Sequence, residues 1–212
     1  MTGPSGNNAD APAIERIVFF SDAVIAIAIT LLALGLHVPN LAGATDASFL
    51  DALGAQLPNY SAFCLSFVVI GIYWMSHNRA FRFIVRWDYG LLAVNLLFLF
   101  FVVLLPFLTT ILGGYGNLPS AASVYALGLA AMGFASCGLW AYAVRRRLVS
   151  EAVTPVLARH LLLRWFVVPV VFLASVPLAF VAPVLAQVTW LLVLLVQAPL
   201  ARYLPGPPVS RV

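Results

Sequence analysis

Asp22 is a carboxylate at the mouth of an otherwise apolar, helix-length run, Ala23-Val-Ile-Ala-Ile27-Ala-Ile-Thr30-Leu31-Leu-Ala-Leu34, and it follows Arg16 and Ser21. Ionisable groups within membrane segments are costly, and they pair with a partner or serve a conduction route. Candidate partners stand at the end of the next apolar run, in Tyr73-Trp74-Met75-Ser76-His77-Asn78-Arg79. If the first run crosses the membrane and the second returns, Arg16, Ser21 and Asp22 meet His77, Asn78 and Arg79 at one depth. A hydrogen-bonded cluster is then expected, because buried polar groups are tolerated when paired. His77 is expected there as a satisfied partner of Asp22. The competing chemistry is a proton relay, in which Asp22 and His77 would serve a proton-linked transporter or a proton leak.

The elements that must position these groups follow from periodicity. At 100° per residue, Ile27, Leu31 and Leu34 fall within about 60° of one another, flanked by Ala23 and Thr30. Asp22 points roughly 140° away from Ile27, on the side of Ala26 and Ala33, where small residues admit a neighbouring helix. Asp22 is therefore expected to bind a neighbour, and the Ile27 face to be either bundle core or the lining of a pore.

Composition places this helix in a membrane. The chain has 212 residues, of which 63% are hydrophobic and 8% charged, and its mean hydropathy is +1.04. Soluble domains carry roughly 25% charged residues. Each crossing needs about 20 apolar residues, which predicts an all-α polytopic membrane protein with six spans, near 17–36, 52–76, 88–112, 121–144, 160–181 and 184–204. One helical domain over 16–204 is expected, between a short disordered tail at 1–15 and a second tail at 205–212. The longest connection on the far side is expected between His37 and Ser48.

All eleven cationic residues are arginines, clustered at Arg16, at Arg79, Arg82 and Arg86, at Arg145 to Arg147, Arg159 and Arg164, and at Arg202 and Arg211. The positive-inside rule puts both termini and both Arg-rich connections in the cytoplasm. The net charge of +4 then lies on one membrane face, near anionic headgroups, and implies no nucleic-acid partner. Cys64 and Cys137 fall within separate spans and are expected as free, buried, small residues.

Familiar channel and enzyme devices are missing from the sequence. It has no Thr-Val-Gly-Tyr-Gly carbonyl filter, no arginine at every third position of a span, no Gly-x-Ser-x-Gly, no His-Glu-x-x-His and no phosphate-cradling loop. His37, His77 and His160 are too scattered to ligate a metal. Neither an enzyme nor a cofactor is expected.

The run Arg16-Ile-Val-Phe-Phe20-Ser21-Asp22 with the Ala-Ile-x-Ile-Thr-x-Leu sequence after it resembles the transmembrane-protein-175 family of potassium channels, found in bacteria and in lysosomes. Weaker resemblances are Gly71-Ile-Tyr-Trp74 through His77 and Arg79, and Leu105-Pro106-Phe107 through Thr109 and Tyr115. The resemblance implies a homotetramer in the bacterial inner membrane whose first helices surround a central potassium pore. It implies that Ile27, Leu31 and Leu34 form the apolar constriction and that Thr30 lies beside it, with potassium passing near Ile27 and Thr30. It also implies that Arg16, Ser21, Asp22 and His77, with Asn78 alongside, hold the pore helix in place. Asn78 stands where the family pattern has a second histidine; it can hydrogen-bond but cannot titrate.

Overall fold

Apolar runs of this length form helices because, in lipid, every backbone N–H and C=O must be satisfied within its own segment. The computed structural model describes residues 10–37, 43 and 45–200, and side chains as far as Leu191. Its helices are α1 (Ala11–Leu32, continued by a 3-10 turn at Ala33–Gly35), α2 (Asp46–Ala55), α3 (Leu57–Phe81), α4 (Tyr89–Tyr115), α5 (Pro119–Arg145), α6 (Pro155–Val181) and α7 (Pro183–Leu200). Five of them, α1 and α3 to α6, are long and apolar enough to cross a membrane among the described residues. The sixth expected span begins in α7, and its last residues, 201–204, lie outside the described residues, as do the tail from 205 and residues 1–9.

Local chemistry sets the helix ends. Proline at the first turn of α1, α3, α5 and α6 costs no helical hydrogen bond, because the first N–H groups have no partner anyway. Asp88 caps α4 by accepting from Leu91 N at 2.7 Å, and Thr154 caps α6 by accepting from Leu157 N at 3.2 Å. Two expectations need correction here. α1 starts at Ala11, so residues 11–15 are helical and do not belong to a disordered tail. The connection after His37 is shorter than expected, because a capping box between Thr45 and Ser48 nucleates α2, and the second span starts only after the break at Gln56.

Lipid removes the hydrophobic drive between spans, so close backbone approach and interhelical hydrogen bonds carry the association. α5 is the most enclosed span, with 67% of its most apolar stretch buried against 28% for α1. It packs against α4 and α6, while α1 packs on α3 and α4. Gly133 of α5 shows the closeness: a Cβ there would lie 2.7 Å from Pro169 Cβ and would also collide with the Tyr73 hydroxyl. Cys137 is buried and Cys64 of α3 is exposed, and both are free thiols, so the burial expected of Cys64 does not hold in the single chain.

At the Arg-rich end the two connections are tied into one plate. Val85 N and Arg86 N donate to Leu148 O at 2.9 and 3.1 Å, and Ser150 N donates to Phe83 O at 2.8 Å. The Arg86 guanidinium donates to Arg147 O at 2.7 Å, and Arg147 itself sits at φ 56° to make the turn. Below the plate, Ile14, Ile17, Phe83, Ile84, Leu91, Trp140 and Leu161 form a core shared by α1, α4, α5, α6 and the connection after α3.

Candidate functional site

α1 is two-faced. Ile14, Ile17, Ser21, Ile25, Ala28 and Leu32 are buried, and their alternating spacing of three and four residues draws one stripe along the helix. About a third of a turn around the helix from that stripe, Ile27, Leu31 and Leu34 are 59%, 40% and 73% exposed. Thr30 lies beside them and its Oγ1 donates to Ile27 O at 2.8 Å. The hydroxyl proton is thereby committed to the helix, and what the oxygen offers outward is its lone pairs.

A buried hydrogen-bonded chain fixes this helix. Ser21 Oγ donates to Ile17 O at 2.8 Å, so it accepts from Asn95 Nδ2 of α4 at 2.9 Å. The Asn95 amide is thus oriented with Oδ1 toward His77 Nε2 of α3, at 2.8 Å. An amide oxygen only accepts, which makes Nε2 the protonated nitrogen of His77. The ring is clamped between Phe81 and Phe98, with centroids 4.5 and 5.3 Å away. Its Nδ1 is buried without a partner. α1, α3 and α4 are therefore joined at one point inside the bundle.

The carboxylate is not in this chain. Asp22 Oδ1 accepts from Trp74 Nε1 at 2.8 Å, on the flank of α1 that faces α3. The expected pairing of His77 with Asp22 is replaced by His77 with Asn95. Asn78 is also elsewhere, accepting from Arg82 Nε at 3.2 Å. Arg16 is exposed and makes no ion pair with Asp22 among the described residues. Its separation from Ile27 is three turns, so both lie within about 20° of one direction. Ala26 and Ala33, expected against a neighbouring helix, are exposed too.

Asn95 is the residue that sequence reasoning missed. Its signal was available: it is the lone amide in the apolar run Leu91-Leu-Ala-Val-Asn95-Leu-Leu, and an amide at that depth must find partners. Further toward the other end, Ser66 Oγ lies 2.9 Å from the Tyr125 hydroxyl and 2.7 Å from Thr109 Oγ1, a second polar tie between α3, α4 and α5. No group of three or more His, Cys, Asp or Glu that could hold a metal occurs among the described residues.

Comparison with known proteins places this architecture. Residues 16–106 match the model of the family described as endosomal/lysosomal potassium channel TMEM175. A potassium channel of Streptomyces collinus is 38% identical over 172 residues, covering 79% of this chain and 82% of that protein. The crystal structure of a lysosomal potassium-selective channel TMEM175 homolog from Chamaesiphon minutus matches with a TM-score of 0.78 at 30% identity, over 89% of this chain and 98% of that one. A chicken protein, named endosomal/lysosomal proton channel TMEM175, is 36% identical over 98 residues, covering 43% of this chain and 20% of its own length. An α1 that opens on Arg16 to Asp22 and keeps a bare apolar face, within a bundle that superposes on that homolog, has one explanation: the chain belongs to the TMEM175 family.

Proposed function

We propose that this chain conducts potassium passively through a pore lined by the first helices of four copies, in the bacterial inner membrane with both termini in the cytoplasm. The observation that carries the reading is the exposed stripe of Ile27, Leu31 and Leu34 on a helix whose other face is fully engaged. Similarity to proteins named potassium channels supplies the ion. Brought around a symmetry axis, these side chains form an apolar neck, and such constrictions close by dewetting. The Thr30 oxygens, with their protons turned back onto the helix, offer replacement ligands to a partly dehydrated cation.

The buried chain of Ser21, Asn95 and His77 holds α1 from behind, with the Asp22 to Trp74 bond beside it. Arg16, lying on the same side as Ile27 and exposed in the single chain, is positioned to meet groups that another subunit brings. No enzymatic step and no cofactor enter this account.

A proton leak is the second reading, favoured by the proton-channel name of the chicken relative. Asp22 and His77 would have to exchange protons, yet each is bonded to a different residue, Trp74 and Asn95, neither of which titrates.

Potassium flux from loaded liposomes tests the main reading. Ile27→Asn, by wetting the neck, is expected to raise flux and to lower discrimination against sodium. Unchanged flux and selectivity would remove Ile27 from the pathway, whereas acidification of the lumen driven by a pH gradient, lost in His77→Phe, would favour the proton leak.

A further inference from the structure

At the end of the bundle opposite the Arg-rich plate, α3, α4 and α7 part. Between the first turns of α3 and α7 and the last turn of α4 lies an open cavity of about 450 Å³, bordered also by Ala55 of α2. That is within the roughly 300–1,000 Å³ of small-molecule sites. Contacts on either side fix its walls. Asn59 of α3 packs so closely on α4 that a Cβ on Gly113 would lie 3.1 Å from its Cα, and Gln187 Nε2 of α7 donates to Gly116 O at 2.8 Å. Between these two contacts, a Cβ on Gly114 would meet nothing within 4 Å.

The lining is polar but uncharged. Ser61 Oγ donates to Pro58 O at 2.8 Å, which leaves its lone pairs for a ligand, and Gln187 keeps Oε1 and one N–H. Asn117, exposed, adds an amide. Gly113 and Gly114 belong to the last turn of α4, whose carbonyls have no partner within the helix. Across 45–65, 110–120 and 180–191, which build this end, the charged residues are Asp46 and Asp51; both are exposed and neither lines the cavity. A phosphate there would lack a cation, and an ammonium would lack a carboxylate in the lining. Hydroxyl groups donate and accept through one atom, and they match a lining that offers both.

The cavity continues onto an apolar surface. Leu65, Val188 and Leu191 line it too, and Val188 and Leu191 are 52% and 51% exposed on α7. A ligand that fits presents uncharged hydroxyls at one end and hydrocarbon at the other. We propose that the cavity between α3, α4 and α7 binds a neutral glycolipid, a sugar-bearing diacylglycerol whose hydroxyls meet Ser61, Asn117 and Gln187 and whose acyl chains lie over Val188 and Leu191. Each hydroxyl hydrogen bond is worth roughly five-fold in affinity.

The test is native mass spectrometry of the full chain, released from a sugar-free polyoxyethylene detergent after incubation with equal amounts of glucosyl diacylglycerol, diacylglycerol, phosphatidylethanolamine and phosphatidylglycerol. Glucosyl diacylglycerol is expected to be retained at least about five-fold more than any of the other three. Gly114→Leu fills the cavity from a position with open space around it, and it should abolish the preference without lowering the melting temperature. Asn117→Ala, at an exposed position, should lower the preference about five-fold. Equal retention of the four lipids by the native protein would overturn the proposal without recourse to any variant, as would stronger retention of either phospholipid. A preference that survives in both variants would place the lipid elsewhere and overturn it. Loss of the preference in millimolar methyl glucoside would assign the cavity to a soluble sugar and also overturn it.

Discussion

Asn95→Leu removes one side chain and with it the ties of α4 to both α1 and α3. The amide is fully buried, donating to Ser21 at 2.9 Å and accepting from His77 at 2.8 Å. Interhelical hydrogen bonds in membranes average about 0.6 kcal/mol, with a maximum of about 1.7, so the two bonds together are worth roughly 1–3 kcal/mol. Ser21 keeps its bond to Ile17 O and loses little more. His77 loses its last partner, since Nδ1 already has none, and an orphaned buried donor costs about 1–3 kcal/mol. The expected loss is about 2–5 kcal/mol, or a fall in melting temperature on the order of 5–15 °C for a chain of this size. Thermal unfolding followed by size-exclusion chromatography in detergent measures it. A double-mutant cycle with Ser21→Ala should show positive coupling, because both variants remove the same bond. A fall within about 1 °C, or strict additivity with Ser21→Ala, would refute the claim that this chain anchors α1.

Three further outcomes follow from the geometry. Burial and a hydrogen bond pull in opposite directions at Asp88, where the Leu91 N–H, then Tyr142 and Arg146, win and hold the carboxyl below the usual carboxylate range. Its contribution is present above the unfolded value of about 3.9 and is lost as pH falls through the lower folded value; Asp88→Asn should therefore be less stable than the native chain at neutral pH, and the two melting curves should converge in acid. Asp22→Asn retains an acceptor for Trp74 and should melt within about 2 °C of the native chain, whereas Asp22→Leu loses the bond and should fall further. Gly133→Ala drives a Cβ into Tyr73 and Pro169, and overpacking of this kind costs about 1–3 kcal/mol, visible as a lower melting temperature in the same assay.

Much of this was legible in the sequence because lipid enforces it. Apolar length located the spans α4 and α5 to within three residues and α3 and α6 to within five, and the wheel of α1 put Ile27, Leu31 and Leu34 on a stripe that is bare in the single chain. What periodicity could not decide was azimuth across helices. Asp22 and His77 stand at one level, tied there through Ser21 and Asn95, and Arg16 about 9 Å nearer the start of α1, but Arg16 lies in the direction of Ile27, Asp22 on the flank toward Trp74, and His77 faces inward to Asn95. Depth alone cannot separate those three directions. α2 was missed because its signal is a polar cap, Thr45 with Ser48, and not an apolar run. The stripe itself is a property of one chain, and what covers it depends on other copies.

The direct measurement is access to the Ile27 face. In a Cys64→Ser/Cys137→Ser background, single cysteines at Ile27 and at Leu163, an exposed position on α6, are treated with a membrane-impermeant thiol reagent during potassium flux from liposomes. A water-filled pore along α1 predicts that Ile27→Cys is modified and flux is blocked, while Leu163→Cys, in lipid, stays unmodified and conducts. Flux that persists undiminished with Ile27→Cys unmodified would contradict the account.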